Sequence, residues 1–356
     1  MTEVNGSGSR RNIWIKMAIP LLLGGIAVLW LFHNEYEPGT WSSIRFTGRA
    51  VVGIALAWMF MGGRDFGLMW RFRSLTDRHL SWRQALKVTM LCEFTSAITP
   101  STVGGSALGM IFMHREGIDL GRATTLMLVT LFLDELFFVV LCPLVFLAVP
   151  SGMLFGFGEA GFVSGLKLAF WLVYAGIAVW TAVLFWGIFV RPQAVRRVLN
   201  ALFSTRLLRR WQSQVADLGD NMVNAGRELR HRTPAWWCRV SGATVVSWLS
   251  RFMIVNALFF GFVGSADQLL VLARQFVVWL VLMVSPTPGG SGVSEWLFTD
   301  YYGDVISSAI SPAGSVAVGA TVIAIAMFWR IISYYIYLLI GIFLVPSFLK
   351  TRKNSR

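Results

Sequence analysis

Several ionisable side chains stand in stretches that are otherwise apolar: Arg64 and Asp65, Glu93, Asp134 and Glu135, Arg251, Arg274, Glu295 and Arg330. A charge in hydrocarbon costs roughly 2.5–3.5 kcal/mol on insertion scales, so each must meet a partner or a wet cavity. An arginine fork matches two phosphate oxygens. Arg251 and Arg330 are therefore candidates to hold a lipid phosphate. The carboxylates of Glu93, Asp134, Glu135 and Glu295 have three uses open to them: binding an ammonium group, relaying protons, or balancing arginines. With Arg64 and Asp65 they form a coupling or charge-pairing set, in which a structural ion pair is an equal reading for any one member. Arg64 and Arg274 have a further option, to snorkel towards the interface.

Two short turns supply a second chemistry. "TPSTVGGS" runs from Thr99 to Ser106 and "SPTPGGSG" from Ser285 to Gly292. Each has a hydroxyl residue, a proline, a polar step and Gly-Gly-Ser, set between two apolar half-helices. Proline ends the first half-helix, and glycine lets a ligand approach the backbone. The second half-helices are expected to begin at Ser106 and Ser291, with free N–H groups and the positive dipole end towards a cavity. The substrate-binding candidates are thus Thr99, Pro100, Gly104, Gly105 and Ser106 in the first turn. In the second they are Pro286, Pro288, Gly289, Gly290 and Ser291, with Arg251 and Arg330 beside them.

Catalytic chemistry finds less support. "GGSG" at 289–292 fits an intramembrane serine nucleophile, but none of His33, His79, His114 or His231 follows Ser291 to act as its base. Cys92, Cys142 and Cys238 are isolated in apolar stretches and suggest neither disulfides nor a metal cluster. No nucleotide-binding glycine loop occurs. No catalytic residue, metal or cofactor is assigned.

The elements that must position these groups are membrane spans. Of 356 residues, 56% are hydrophobic and only 14% charged, which places the chain among all-α polytopic membrane proteins. Apolar runs long enough to cross ~30 Å of hydrocarbon lie at about 13–32, 48–70, 121–149, 162–190, 235–263 and 314–345. Two more regions, 84–114 and 268–302, are interrupted by the turns. Lys and Arg cluster at the N-terminus, in 71–87, in 191–234 and at the C-terminus. The positive-inside rule puts all four in the cytoplasm. That holds only if each interrupted region enters and leaves on one side, 84–114 from the cytoplasm and 268–302 from outside. The expectation is about six spans plus two opposed re-entrant helical hairpins in an inverted repeat. It divides the chain into a first membrane half (1–190), a basic amphipathic cytoplasmic segment (191–234) and a second membrane half (235–356). The net charge of +13 then reflects cytoplasmic loops and a segment lying on an anionic phospholipid surface. Nothing resembles a nucleic-acid recognition module.

The residues "SPTPGGSGVSE" resemble the Pro-x-Pro-Gly-Gly-x-Gly-x-x-Glu signature of the flippase-like membrane domain of lysylphosphatidylglycerol synthases. "ITPSTVGG" and "LFLDELFF" stand where that family has its first hairpin and an acidic span. The resemblance covers roughly 10–345 and implies movement of a lipid between leaflets of a prokaryotic inner membrane. The chain stops at Arg356, so a stand-alone member without the synthase domain is expected. The expected activity is a lipid flippase or scramblase acting on an anionic phospholipid or a polyprenyl-phosphate-linked lipid. A small organic-anion transporter of inverted-repeat design and an intramembrane lipid-modifying enzyme are the alternatives.

Overall fold

The computed structural model describes residues 46–99, 103–156, 160–191, 193–194, 197, 201, 220, 223–224, 226–285, 287, 289–290, 292–310 and 315–350. Every regular element among them is helical. The elements are α1 (Gly48–Leu75), α2 (Trp82–Ile98), α3 (Val103–Arg115), α4 (Leu120–Ala148), the short α5 (Ser151–Phe155) and α6 (Ala160–Phe185). After the basic segment come α7 (Pro234–Phe262), α8 (Gln268–Leu282), α9 (Val293–Ile310), α10 (Ser315–Arg330) and α11 (Ile336–Lys350). Among the described residues, five stretches are long and apolar enough to cross a membrane: 48–75, 120–148, 163–190, 234–262 and 317–341. They correspond to five of the expected spans. The run at 13–32 and most of 191–234 lie outside the described residues.

Local sequence explains where the helices start. Ser81 and Gln84 cap α2 reciprocally, backbone to side chain, at 2.9 and 3.3 Å. Asp119 caps α4, Thr233 with Pro234 behind it caps α7, and Asp267 caps α8. Inside α4, Pro143 cannot donate to the carbonyl of Val139. The Tyr174 hydroxyl on α6 donates to that carbonyl instead, at 3.2 Å. An orphan acceptor at membrane depth is thereby satisfied from the neighbouring helix.

The central contact is α1 against α7, packed through small residues. A Cβ added at Gly53 would lie 2.6 Å from the Ala257 carbonyl oxygen and the Gly261 Cα. One at Gly67 would lie 2.8 Å from the Ser247 nitrogen. Low numbers on α1 thus meet high numbers on α7, so the two helices run antiparallel. Arg49 at one end donates to the carbonyls of Gly261 and Val263, and Arg71 at the other reaches Thr244.

This antiparallel pair sets the hairpins against each other. α2–α3 follows the C-terminal end of α1, and α8–α9 follows the C-terminal end of α7, at the opposite end of the pair. Each interrupted region does return on itself. Lys87 near the start of α2 meets Glu116 just after α3 at 2.6 Å. Ser265, just before α8, donates to Ala309 at the end of α9 at 2.8 Å. Arg274 on α8 is fully buried; it donates to Tyr301 O on α9 at 2.6 Å and pairs with both oxygens of Asp304. Its remaining donors go to Met153 O on α5. The snorkelling option for Arg274 is excluded by this burial.

Opposed entry carries its own test. Arg83→Cys, on the exposed first turn of α2, and Ser307→Cys, on the exposed last turn of α9, should react with an impermeant maleimide from opposite faces of the membrane. The background would carry serine at Cys92, Cys142 and Cys238. Labelling of both from one face would overturn the arrangement.

Candidate functional site

The two hairpin tips meet one cavity of about 190 Å³. Gly105 reaches it from α3; Ser285, Thr287, Gly289 and Gly290 reach it from the second turn. Its walls carry Arg71 from α1, Glu93 from α2, Asp134 and Glu135 from α4, Arg251 from α7, and Arg330 from α10. Three arginines face three carboxylates. The sequence grouped both turns as one set of substrate-binding candidates, and the fold exposes residues of each to one space.

The second turn is held by an internal ion pair. Gly289, Gly290 and Gly292 have φ of +58°, +71° and +83°, in the left-handed region. Glu295, buried in the first turn of α9, accepts from the Gly292 N–H and the Ser294 hydroxyl, each at 2.7 Å. Its other oxygen accepts from Arg330 Nε at 2.8 Å. Both Arg330 terminal nitrogens donate to Gly289 O at 3.3 Å, and the guanidinium lies 4.0 Å above the Tyr334 ring. Two expectations change. α9 begins at Val293, not Ser291, and the Gly292 N–H just ahead of it is met by a carboxylate of the chain itself. Arg330 lines the cavity while bound to Glu295 and the turn, which is the structural ion pair the sequence left open. Pro286, Pro288 and Ser291 lie outside the described residues.

The first turn is built differently. α3 begins at Val103 rather than Ser106, so Gly104, Gly105 and Ser106 lie in its opening turns. Gly105 is buried against α2: an added Cβ would overlap the Ser96 hydroxyl and sit 2.5 Å from Cys92 O. Its freedom serves a close helix crossing. Thr99 turns its hydroxyl back to Thr95 O at 2.7 Å and is not among the residues lining the cavity. Pro100 lies outside the described residues.

Two more charge clusters are built into the walls, with Arg64 and Asp65 behind them. Arg64, fully buried on α1, pairs with Glu93 on α2 and donates to Asp65 at 3.1 Å and to the Tyr337 hydroxyl. Tyr337 in turn donates to Asp65. Arg64 therefore does not snorkel. Arg71 pairs with Asp134, which also accepts from Trp248 Nε1 at 2.7 Å. The sequence placed Arg71 in a basic loop; the helix continues to Leu75 and takes it into the wall.

What remains uncommitted is the chemically useful part. Arg251 stands 3.6 Å from Glu93, whose same oxygen already takes Arg64. Its guanidinium is stacked 4.9 Å from the Trp248 ring and 4.5 Å from the Trp279 ring. Among the described residues its fork makes no hydrogen bond. Glu135 likewise has a buried Oε2 without a hydrogen-bond partner among them. The cavity thus presents a planar cation and a carboxylate to whatever enters.

The family model described as "Lysylphosphatidylglycerol synthase TM region" matches residues 17–341. A "UPF0104 membrane protein" of Archaeoglobus fulgidus is 24% identical over 336 residues, covering 90% of this chain and 93% of that protein. No solved structure matches.

Proposed function

We propose, from the premise that this chain belongs to the lysylphosphatidylglycerol synthase transmembrane-region family, that it moves a lipid with an anionic headgroup between membrane leaflets. The substrate class is an anionic phospholipid or a polyprenyl-phosphate-linked lipid. One observation carries the reading: two broken helices enter from opposite ends of an antiparallel pair and expose their turns to the same cavity, beside Arg251. Non-helical backbone at membrane depth is tolerated where it lines such a space, and opposed repeats around a central site suit alternating access. The headgroup occupies the cavity while the acyl chains stay in the bilayer. Arg251 takes the phosphate, because its fork is positioned by two indoles and free of short internal bonds. No reaction is assigned to the site. In this reading the protein lies in the cytoplasmic membrane, with its basic segments on the cytoplasmic side.

The test is headgroup movement in proteoliposomes. Arg251→Lys keeps the charge but loses the planar stack and the fork. Its expected effect is a fall in transport of about tenfold, the equivalent of ~1.4 kcal/mol, with little change in melting temperature. Unaltered transport in Arg251→Lys would remove Arg251 from the path. Movement of soluble organic phosphates, with no movement of lipid, would favour the small-anion transporter instead.

A further inference from the structure

A second recess lies at the end of α6, where the helix passes through a π-helical segment, Trp186–Val190, and stops. Arg191, Arg197, Arg227 and Arg230 line it, with Val190, and its volume is about 270 Å³. That is several times the ~30 Å³ share of one water, enough for a phosphate group and part of its hydration.

The surrounding residues make the lack of counter-charge specific. Arg122 and Arg232 each pair with Asp77 and Glu228. Glu228 adjoins Arg227 in the chain, yet its carboxylate goes to those other two arginines. Among the described residues no carboxylate lines the recess, and none of its four arginines makes an ion pair. Capping of the α6 end explains only one donor: Arg230 Nη2 bonds Val190 O at 3.2 Å. The four arginines are exposed, so water and salt screen their mutual repulsion, and an anion bound among them would remove the remainder.

The depth of the recess indicates where that anion comes from. The candidate span 163–190 ends at its rim. Trp186, 47% exposed, accepts at its carbonyl from the Arg191 N–H at 2.8 Å, and Trp237 packs at 5.4 Å on Phe189, the residue before Val190. Tryptophans of this kind sit at the headgroup level of a bilayer, and basic pockets between helix ends there suit lipid phosphates. We infer that this recess binds a phosphate-bearing anion, the headgroup of an anionic phospholipid, at a site separate from the central cavity. The bound phosphate bridges Arg191 at the end of α6 to Arg227 and Arg230 ahead of α7.

The full chain in neutral detergent is titrated with short-chain phosphatidylglycerol, short-chain phosphatidylcholine and inorganic phosphate, and its melting temperature followed. Phosphatidylglycerol should stabilise saturably, less at high salt, and phosphatidylcholine should not. In Arg191→Gln/Arg227→Gln the half-saturating concentration should rise about tenfold or more; in Arg83→Gln, an exposed arginine on the first turn of α2 that lines neither cavity, it should stay. Equal action of inorganic phosphate would assign the recess to free phosphate, and action of the lipid alone to the headgroup. Either result supports the phosphate site. Absence of stabilisation, an unchanged midpoint in the glutamine pair, or an equal rise in Arg83→Gln would overturn it. Arg191→Lys/Arg227→Lys decides the matter if the glutamine pair does not purify: a rise of about threefold is expected, and no rise overturns the site.

Discussion

Gly289→Ala lowers the melting temperature further than Gly290→Ala and abolishes lipid movement. Both glycines have positive φ, where an L-residue costs roughly 1–2 kcal/mol. They differ in what an added methyl meets. At Gly290 the nearest atom is Leu282 Cδ2 at 3.3 Å, the tip of a flexible side chain. At Gly289 the methyl overlaps the Tyr334 ring and lies 2.9 Å from its Cζ. Tyr334 cannot retreat easily. It is buried, its hydroxyl donates to Ala97 O on α2 at 3.2 Å, and Arg330 covers its face. Overpacking of this kind costs about 1–3 kcal/mol, in addition to the backbone term. Thermal melts of both variants in detergent, with transport measured beside them, give the comparison. Equal destabilisation would mean that the ring does not hold the turn.

Breaking the Glu295–Arg330 pair has the other large effect. Both side chains are buried, at 2% and 4% exposure, and removing one partner of such a pair costs about 3–5 kcal/mol by leaving the other charge uncompensated. Glu295→Gln keeps the shape and an acceptor for the Gly292 N–H, but strands Arg330. Arg330→Gln strands Glu295 and releases Gly289 O. The double variant should recover part of the loss, since no net charge stays buried, and a double-mutant cycle over melting or denaturation reads the coupling. Arg330→Lys should lose stability and transport together. Loss of transport with an unchanged melt in Arg330→Lys would make this arginine a ligand group rather than a clamp.

Hydrophobic run length and the side on which arginines fall made most of the architecture legible. Five expected spans and both interruptions appear close to where those signals put them, because the bilayer fixes helix length and leaves few choices. Charge pairing was not legible. Arg64 finds Glu93 across a helix interface, and Arg71 finds Asp134 on α4; no local spacing encodes either. Arg71 was hidden by its basic neighbours, which resemble a loop although the helix continues through them. The start of α9 did leave a signal. Gly292 to Glu295 is the three-residue spacing of a capping pair, which outweighs the preference of serine for helix starts. Trp248 and Trp279, which stack on Arg251, carried no distinguishing mark in a chain with 16 tryptophans.

The α1–α7 seam also bears on how the chain is made. α1 ends at Leu75 and its close partner begins at Pro234, about 160 residues later. At ~5–20 residues per second, α1 leaves the ribosome roughly 10–30 s before the surface that fits its glycines exists. During that interval Glu93 and Asp134, both earlier in the chain, can receive Arg64 and Arg71, but the α7 residues that Gly53, Gly63 and Gly67 pack against have not yet been made. The expected biogenesis intermediate is therefore paired in charge yet lacks the partner of its glycine face. A nascent chain arrested before residue 234 should crosslink from Gly53→Cys to insertion factors, and the crosslink should vanish once α7 has been synthesised.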